Sequence, residues 1–185
     1  MSFSLKNTFL FLLITSFLFA CKKDEKPVVT INPPVPEFPD LSDIAYDPVS
    51  VDLVVLDPLP PMDIPADNPL TKDGIELGRF LFYDPILSGN ETMACANCHL
   101  PKGGFTDNLA VSKGVDGTAG IRSSMSLMNV GYVTKGLFWD GRIQTLEEQA
   151  LLPVEDPIEL HNEWEEVEEK LQKHNDYPTR FRKAF

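Results

Sequence analysis

The run Cys95-Ala96-Asn97-Cys98-His99 constrains this chain more than any other stretch. C-x-x-C-H is the spacing at which two thiols add to the vinyl groups of one haem while the adjacent imidazole becomes an axial iron ligand. On a single helical turn, positions i and i+3 share a face, so both sulfurs reach the same porphyrin edge. His99 follows directly and turns its ring under the iron. The plainer alternatives are a chance C-x-x-C or half of a zinc site. Zinc asks for four ligands, and the sequence has no second Cys pair and no His-x-x-x-His.

The motif also bears on what holds the fold together. The cysteines are Cys21, Cys95 and Cys98. If haem takes two of them, no intrachain disulfide remains, and the core rests on side-chain packing and on the macrocycle. A chain of 185 residues that is 43% hydrophobic has material for one packed domain. Its formal net charge of -12 argues against nucleic acid, which needs clustered Lys and Arg. The same charge fits a soluble periplasmic protein and could steer a basic redox partner.

Residues 1–20 read as an export signal. Lys6 gives a positive start, and residues 9–19 form an apolar run too short to span a bilayer comfortably. Leu18-Phe19-Ala20-Cys21 resembles a lipobox, with cleavage before Cys21 and lipid on its sulfur; an ordinary signal peptide with an incidental Cys is the alternative. Export suits covalent haem, which bacteria attach outside the cytoplasmic membrane. Residues 21–51 then form a tether. Pro27, Pro33, Pro34, Pro36 and Pro39 fix φ and remove backbone donors, so an extended spacer is expected. Residues 51–56 have strand-like composition but are flanked by prolines, and read as an extended arm laid on the domain.

From residue 52 to 185 the pattern is that of an all-α haem domain with long loops. Ile75, Gly78, Leu81 and Phe82 share one helical face, and Asp84-Pro85 ends that helix. A short helix carries Cys95 to His99 and stops at Pro101 and the Gly103-Gly104 pair. The glycine-rich stretch 103–137 has no helical period and reads as loop that can approach a cofactor closely. Thr145 to Glu148 is a capping box opening a helix that Pro153 should end. Asn162 with Glu165 should open another, with Trp164, Val167 and Leu171 inward. His161 and His174 read as solvent-facing residues on a polar helical stretch. Phe181 and Phe185 lie four apart on a last helix.

Several motifs stand in a specific order. They are residues 77–88 (LGRFLFYDPILS), Gly104-Phe105-Thr106-Asp107, Phe138-Trp139-Asp140-Gly141-Arg142, Leu146-Glu147-Glu148-Gln149-Ala150, and Tyr177 with residues 180–185 (RFRKAF). Over roughly residues 52–185 this resembles the N-terminal half of the bacterial dihaem cytochrome c peroxidases, a family that includes the MauG-type enzymes. The resemblance implies one covalent haem c on Cys95 and Cys98, with His99 as proximal ligand. It implies reduction of hydrogen peroxide with electrons from a small donor protein such as a cytochrome c or cupredoxin. Gln149 and Glu159 match the family's distal pair. There Glu159 would move the peroxide proton as a base and then an acid, and Gln149 would orient the oxygens. Trp139 matches the tryptophan between the two haems, which can relay electrons; plain core packing is its other reading.

The sequence also departs from the family. The chain stops at Phe185, before a second C-x-x-C-H domain: it is either a fragment of a longer gene product or a truncated protein, and on its own it is expected to lack the built-in electron supply. No His lies in residues 100–137, so the distal iron site is expected to be open without reductive activation. Ser123 stands where the family has an Asn that helps hold calcium, which argues against calcium here. Two rival functions remain: a monohaem electron carrier with Met125 or Met128 as sixth ligand, and a MauG-like oxidase.

Overall fold

A computed structural model describes residues 39–185. The expected signal peptide, Cys21 and the tether up to residue 38 lie outside the described residues. The first helix, α1 (Lys72–Tyr83), begins where Thr71 offers its hydroxyl oxygen to the Gly74 amide at 3.0 Å. It ends where Asp84 precedes Pro85, since a residue before proline is driven out of the helical region. The Asp84 carboxylate then caps a 3-10 turn, Pro85–Leu87, by accepting from the Ile86 amide. After α2 (Cys95–Cys98) come a 3-10 turn at Pro101–Gly103, a long loop belt, α3 (Leu146–Glu155), α4 (Trp164–Lys173) and α5 (Tyr177–Ala184). Among the described residues there is no strand, only three isolated bridges. The all-α expectation with long loops therefore holds.

The core lies between α1, α4, α5 and the 3-10 turn after α1. Leu77, Leu87, Val154, Leu160, Val167, Leu171, Tyr177 and Ala184 form it, with Leu81, Ile86, Met93 and Trp164 packed against them. Burying such side chains is worth about 1.5–3 kcal/mol each. Met93 ties this core to the chain entering α2, and Ala94 after it is also buried.

Several sequence expectations change in detail. On α1 the core takes Leu77 and Leu81, while Ile75 and Gly78 are exposed. The stripe expected to face one way is split, because α5 covers the Leu77 side and leaves the Gly78–Phe82 side to a cavity. Pro153 does not end α3, which continues to Glu155. Proline forfeits only its own N–H, so the ladder resumes when the Asp156 amide reaches the Leu152 carbonyl at 3.1 Å. Asn162 is not the cap of α4; Glu163 precedes that helix without a side-chain cap. Asn162 is buried instead, donating to the Leu87 carbonyl and accepting from the Glu163 amide. His161 and His174 are exposed but not helical: His161 sits in a turn at φ 49° and His174 caps α4. On α5, Tyr177 and Ala184 are buried while Phe185 is exposed. The arm at 51–56 is extended, and it is pinned at its start, where the Val51 and Lys72 amides bond the Leu70 and Val49 carbonyls. Beyond that, Val54 and Leu56 face solvent.

Candidate haem site

The attachment turn forms because its ends are tied locally. The Asn97 carboxamide oxygen accepts from the Ala94 amide at 2.8 Å, and the His99 amide bonds the Cys95 carbonyl at 3.1 Å. Cys95 and Cys98 are half-buried, unbridged thiols one turn apart. Burial raises the Cys95 thiol, and the Glu159 carboxylate raises it further. Cys98 is pushed up to about 11 by burial, then by the charges of Asp107, Glu159 and Cys95.

His99 is held through one nitrogen. Its Nδ1 lies 3.0 Å from the Phe105 carbonyl, which can only accept, so Nδ1 carries the proton and Nε2 keeps its lone pair. The turn that delivers this carbonyl is sharp. Gly104 and Phe105 both adopt positive φ, 70° and 61°, while the Phe105 amide bonds the Leu100 carbonyl. A phenylalanine in that region is strained, and the strain aims the acceptor at His99. Beside it opens an apolar cavity of about 360 Å³, lined by Gly78, Arg79, Phe82, Tyr83, Phe105 and Leu127. The Phe82 ring centroid is 6.3 Å from that of His99.

Glu159 lies four residues beyond the end of α3. Burial raises its carboxyl above the usual carboxylate range; Asp156 pushes the same way and Arg142 opposes. Arg142 is itself stacked over Phe138 at 3.5 Å and paired with Asp140 at 3.0 Å. Gln149 sits on α3, and its Oε1 is buried with no donor among the described residues. A buried amide oxygen without a donor is costly unless a bound group completes it. Trp139 is 55% exposed, so it is not core packing. Its indole N–H donates to the Ser123 carbonyl at 2.8 Å, and the adjacent Ser124 hydroxyl donates to the Cys98 carbonyl at 2.8 Å. Met125 is half-buried. Met128 is exposed, its sulfur beside Gly104, next to the carbonyl that fixes His99.

These residues fit a c-type haem. Two thiols stand on one turn, an imidazole presents Nε2, an apolar cavity adjoins them, and a buried acceptor lacks a donor. The structure brings Cys95, Cys98 and His99 together on one turn, leaves Glu159 close enough for its charge to raise both thiols, and links Trp139 to the turn through Ser123 and Ser124. It shows no hydrogen bond between Gln149 and Glu159. Sequence reasoning missed the roles of Phe105, Ser124 and Arg142. The Gly104-Phe105 pair just after C-x-x-C-H was the available sign of the first.

Residues 72–185 match the family described as di-haem cytochrome c peroxidase. The cytochrome-c peroxidase IdrP1 of Denitromonas iodatirespirans is 39% identical over 130 residues, 70% of this chain and 34% of that protein. The methylamine utilization protein MauG of Methylorubrum extorquens is 36% identical over 121 residues, 65% of this chain and 34% of that protein. A crystal structure of a MauG-like protein associated with microbial copper homeostasis superposes with a TM-score of 0.67 at 35% identity, covering 74% of this chain and 40% of that one. The chain spans about a third of the length of the curated relatives it matches.

Proposed function

This chain belongs to the di-haem cytochrome c peroxidase family, and from that premise we propose that residues 52–185 carry one covalent haem c at which hydrogen peroxide is reduced to water. Cys95 and Cys98 would hold the macrocycle and His99 Nε2 would hold its iron. When bound, the haem would relay to peroxide the two electrons that its reduction takes from the donor. The observation that carries the reading is Glu159: a carboxyl raised by burial, yet close enough to both thiols for its charge to be felt there. Such a group can take the proton from one peroxide oxygen and return it to the other. Gln149, with its unpartnered oxygen, orients the substrate. Trp139, exposed and linked to the Cys98 carbonyl through Ser123 and Ser124, is where electrons enter from a small donor protein such as a cytochrome c or cupredoxin. Residues 1–20 direct export, and lipid on Cys21 anchors a periplasmic domain through the tether at 21–51.

The test is rapid mixing of the ferric holoprotein, made in a host that matures c-type cytochromes, with hydrogen peroxide. Glu159→Gln should slow the spectral change about 10²–10⁴-fold. An unchanged rate would sink the assignment. A second reading is a MauG-like oxidase acting on a protein or a small molecule, favoured by the exposure of Trp139 and the similarity to MauG. The electron-carrier reading would take as sixth ligand Met125, half-buried, or Met128, exposed with its sulfur beside Gly104.

A further inference from the structure

Glu159 lies in a turn that reverses the chain after α3, and the inner side of that turn is fully tied. The Glu159 and His161 amides both bond the Asp156 carbonyl, Leu160 bonds Pro153, and Asn162 bonds Val154. Its outer side is held by a loop far away in sequence. The Val115 amide donates to the Glu159 carbonyl at 2.7 Å. Gly114 runs so close that a Cβ there would sit 2.4 Å from the Ile158 oxygen and 2.9 Å from the Glu159 nitrogen.

Gly114 and Val115 belong to a small hairpin, residues 112–120. It is closed by Gly114 on Thr118, Gly120 on Ser112 and the Lys113–Ala119 bridge. Its base is fixed to the attachment turn. The Ser112 hydroxyl accepts from the Ser124 amide at 2.8 Å, and the Ser124 hydroxyl donates to the Cys98 carbonyl. One rigid element thus touches the Glu159 peptide at its tip and the Cys98 peptide at its foot. Among the described residues one side-chain hydrogen bond locks the tip: the Asp116 carboxylate on His161 Nδ1 at 2.5 Å. His161 reaches it because its backbone is left-handed, φ 49°.

We propose that the 112–120 hairpin, clasped by Asp116 and His161, is the device that sets Glu159 relative to the haem-attachment turn. Asp116 and His161 are positioning residues for the peroxide reaction. This rests on the catalytic reading of Glu159. Both side chains are about half exposed, so the pair adds little to global stability. Its effect falls on the placement of one peptide, where a shift of about 1 Å can cost about a hundredfold in rate.

The test compares the parent holoprotein with Asp116→Ala and Asp116→Asn, alone and combined with Glu159→Gln. Asp116→Ala should slow the peroxide reaction at least tenfold and speed hydrogen exchange at the Val115 amide about tenfold. Haem content and carbon monoxide binding to the reduced protein, which need no carboxylate, should stay as in the parent. Asp116→Asn keeps an acceptor for His161 and should recover most of the rate. In the Glu159→Gln background, Asp116→Ala should slow nothing further. A parent-like rate in Asp116→Ala overturns the proposal, as does an equal loss in both backgrounds or a parallel loss of haem. If Glu159→Gln alone is silent, the catalytic reading fails instead, and the Val115 exchange result still reports whether the clasp holds the hairpin.

Discussion

Between Lys72 and Leu87, and again from Val154 onward, the chain buries its apolar side chains; from Gly103 to Gln144 the only buried residues are Gly114 and Leu137. The helical part is held by hydrophobic contact. The loop belt is held by hydrogen bonds of high sequence separation, such as Ser124 to Cys98, Trp139 to Ser123 and Val115 to Glu159. Leu109, Val111, Ile121, Met128 and Val133 stay exposed in that belt. The difference teaches that one part is a scaffold that packs itself, and the other takes its shape from polar contacts between distant segments.

That contrast can be broken by truncating one side chain in each part. Leu77→Ala, in the core, should cost about 2–5 kcal/mol in denaturant unfolding. Ile121→Ala, 84% exposed in the belt, should stay within about 0.5 kcal/mol. Equal losses would mean the belt carries part of the core. Next in size is Tyr177→Phe. The phenol of Tyr177 donates to Asp84 at 2.8 Å across the α1–α5 contact. Losing a hydrogen bond to a charged partner should lower stability by about 1.5–3 kcal/mol, read as a lower denaturant midpoint with unchanged slope. The smallest effect is one of sign. Burial raises the Glu159 carboxyl, so the folded apoprotein holds that proton more tightly than the unfolded chain. Its contribution is stabilising below the ordinary carboxylate range and is lost as pH rises through the raised value. Glu159→Gln should therefore match the parent at acid pH and exceed it at neutral pH in thermal midpoint. The opposite trend would show that the carboxylate is stabilised, not strained, where it sits.

The helices were largely legible because their signals are local. Thr145 does cap α3, accepting from the Glu148 amide at 3.2 Å, and Val167 and Leu171 do enter the core. Pro153 carries a local stop signal that α3 overrides, because the next turn still finds its carbonyls past the one missing N–H. Asn162 misled because a buried partner, the Leu87 carbonyl, outbid the capping geometry its sequence position suggested. On α1 the period of apolar residues showed that a face exists, but not which residues of it α5 would cover.

What the sequence determined by itself was the chemistry that fits within one helical turn: two thiols and an imidazole at fixed spacing, the helix caps, and the apolar periods. Each depends on residues no more than a few positions apart, where backbone geometry leaves little choice. Only the tertiary structure decided that the Phe105 carbonyl fixes His99, that Trp139 faces solvent, and that the Glu159 peptide lies against a hairpin clasped by Asp116 and His161. The Val115–Glu159 and Asp116–His161 contacts join segments more than forty residues apart through single hydrogen bonds, and a single bond of that kind leaves no periodic mark in the chain.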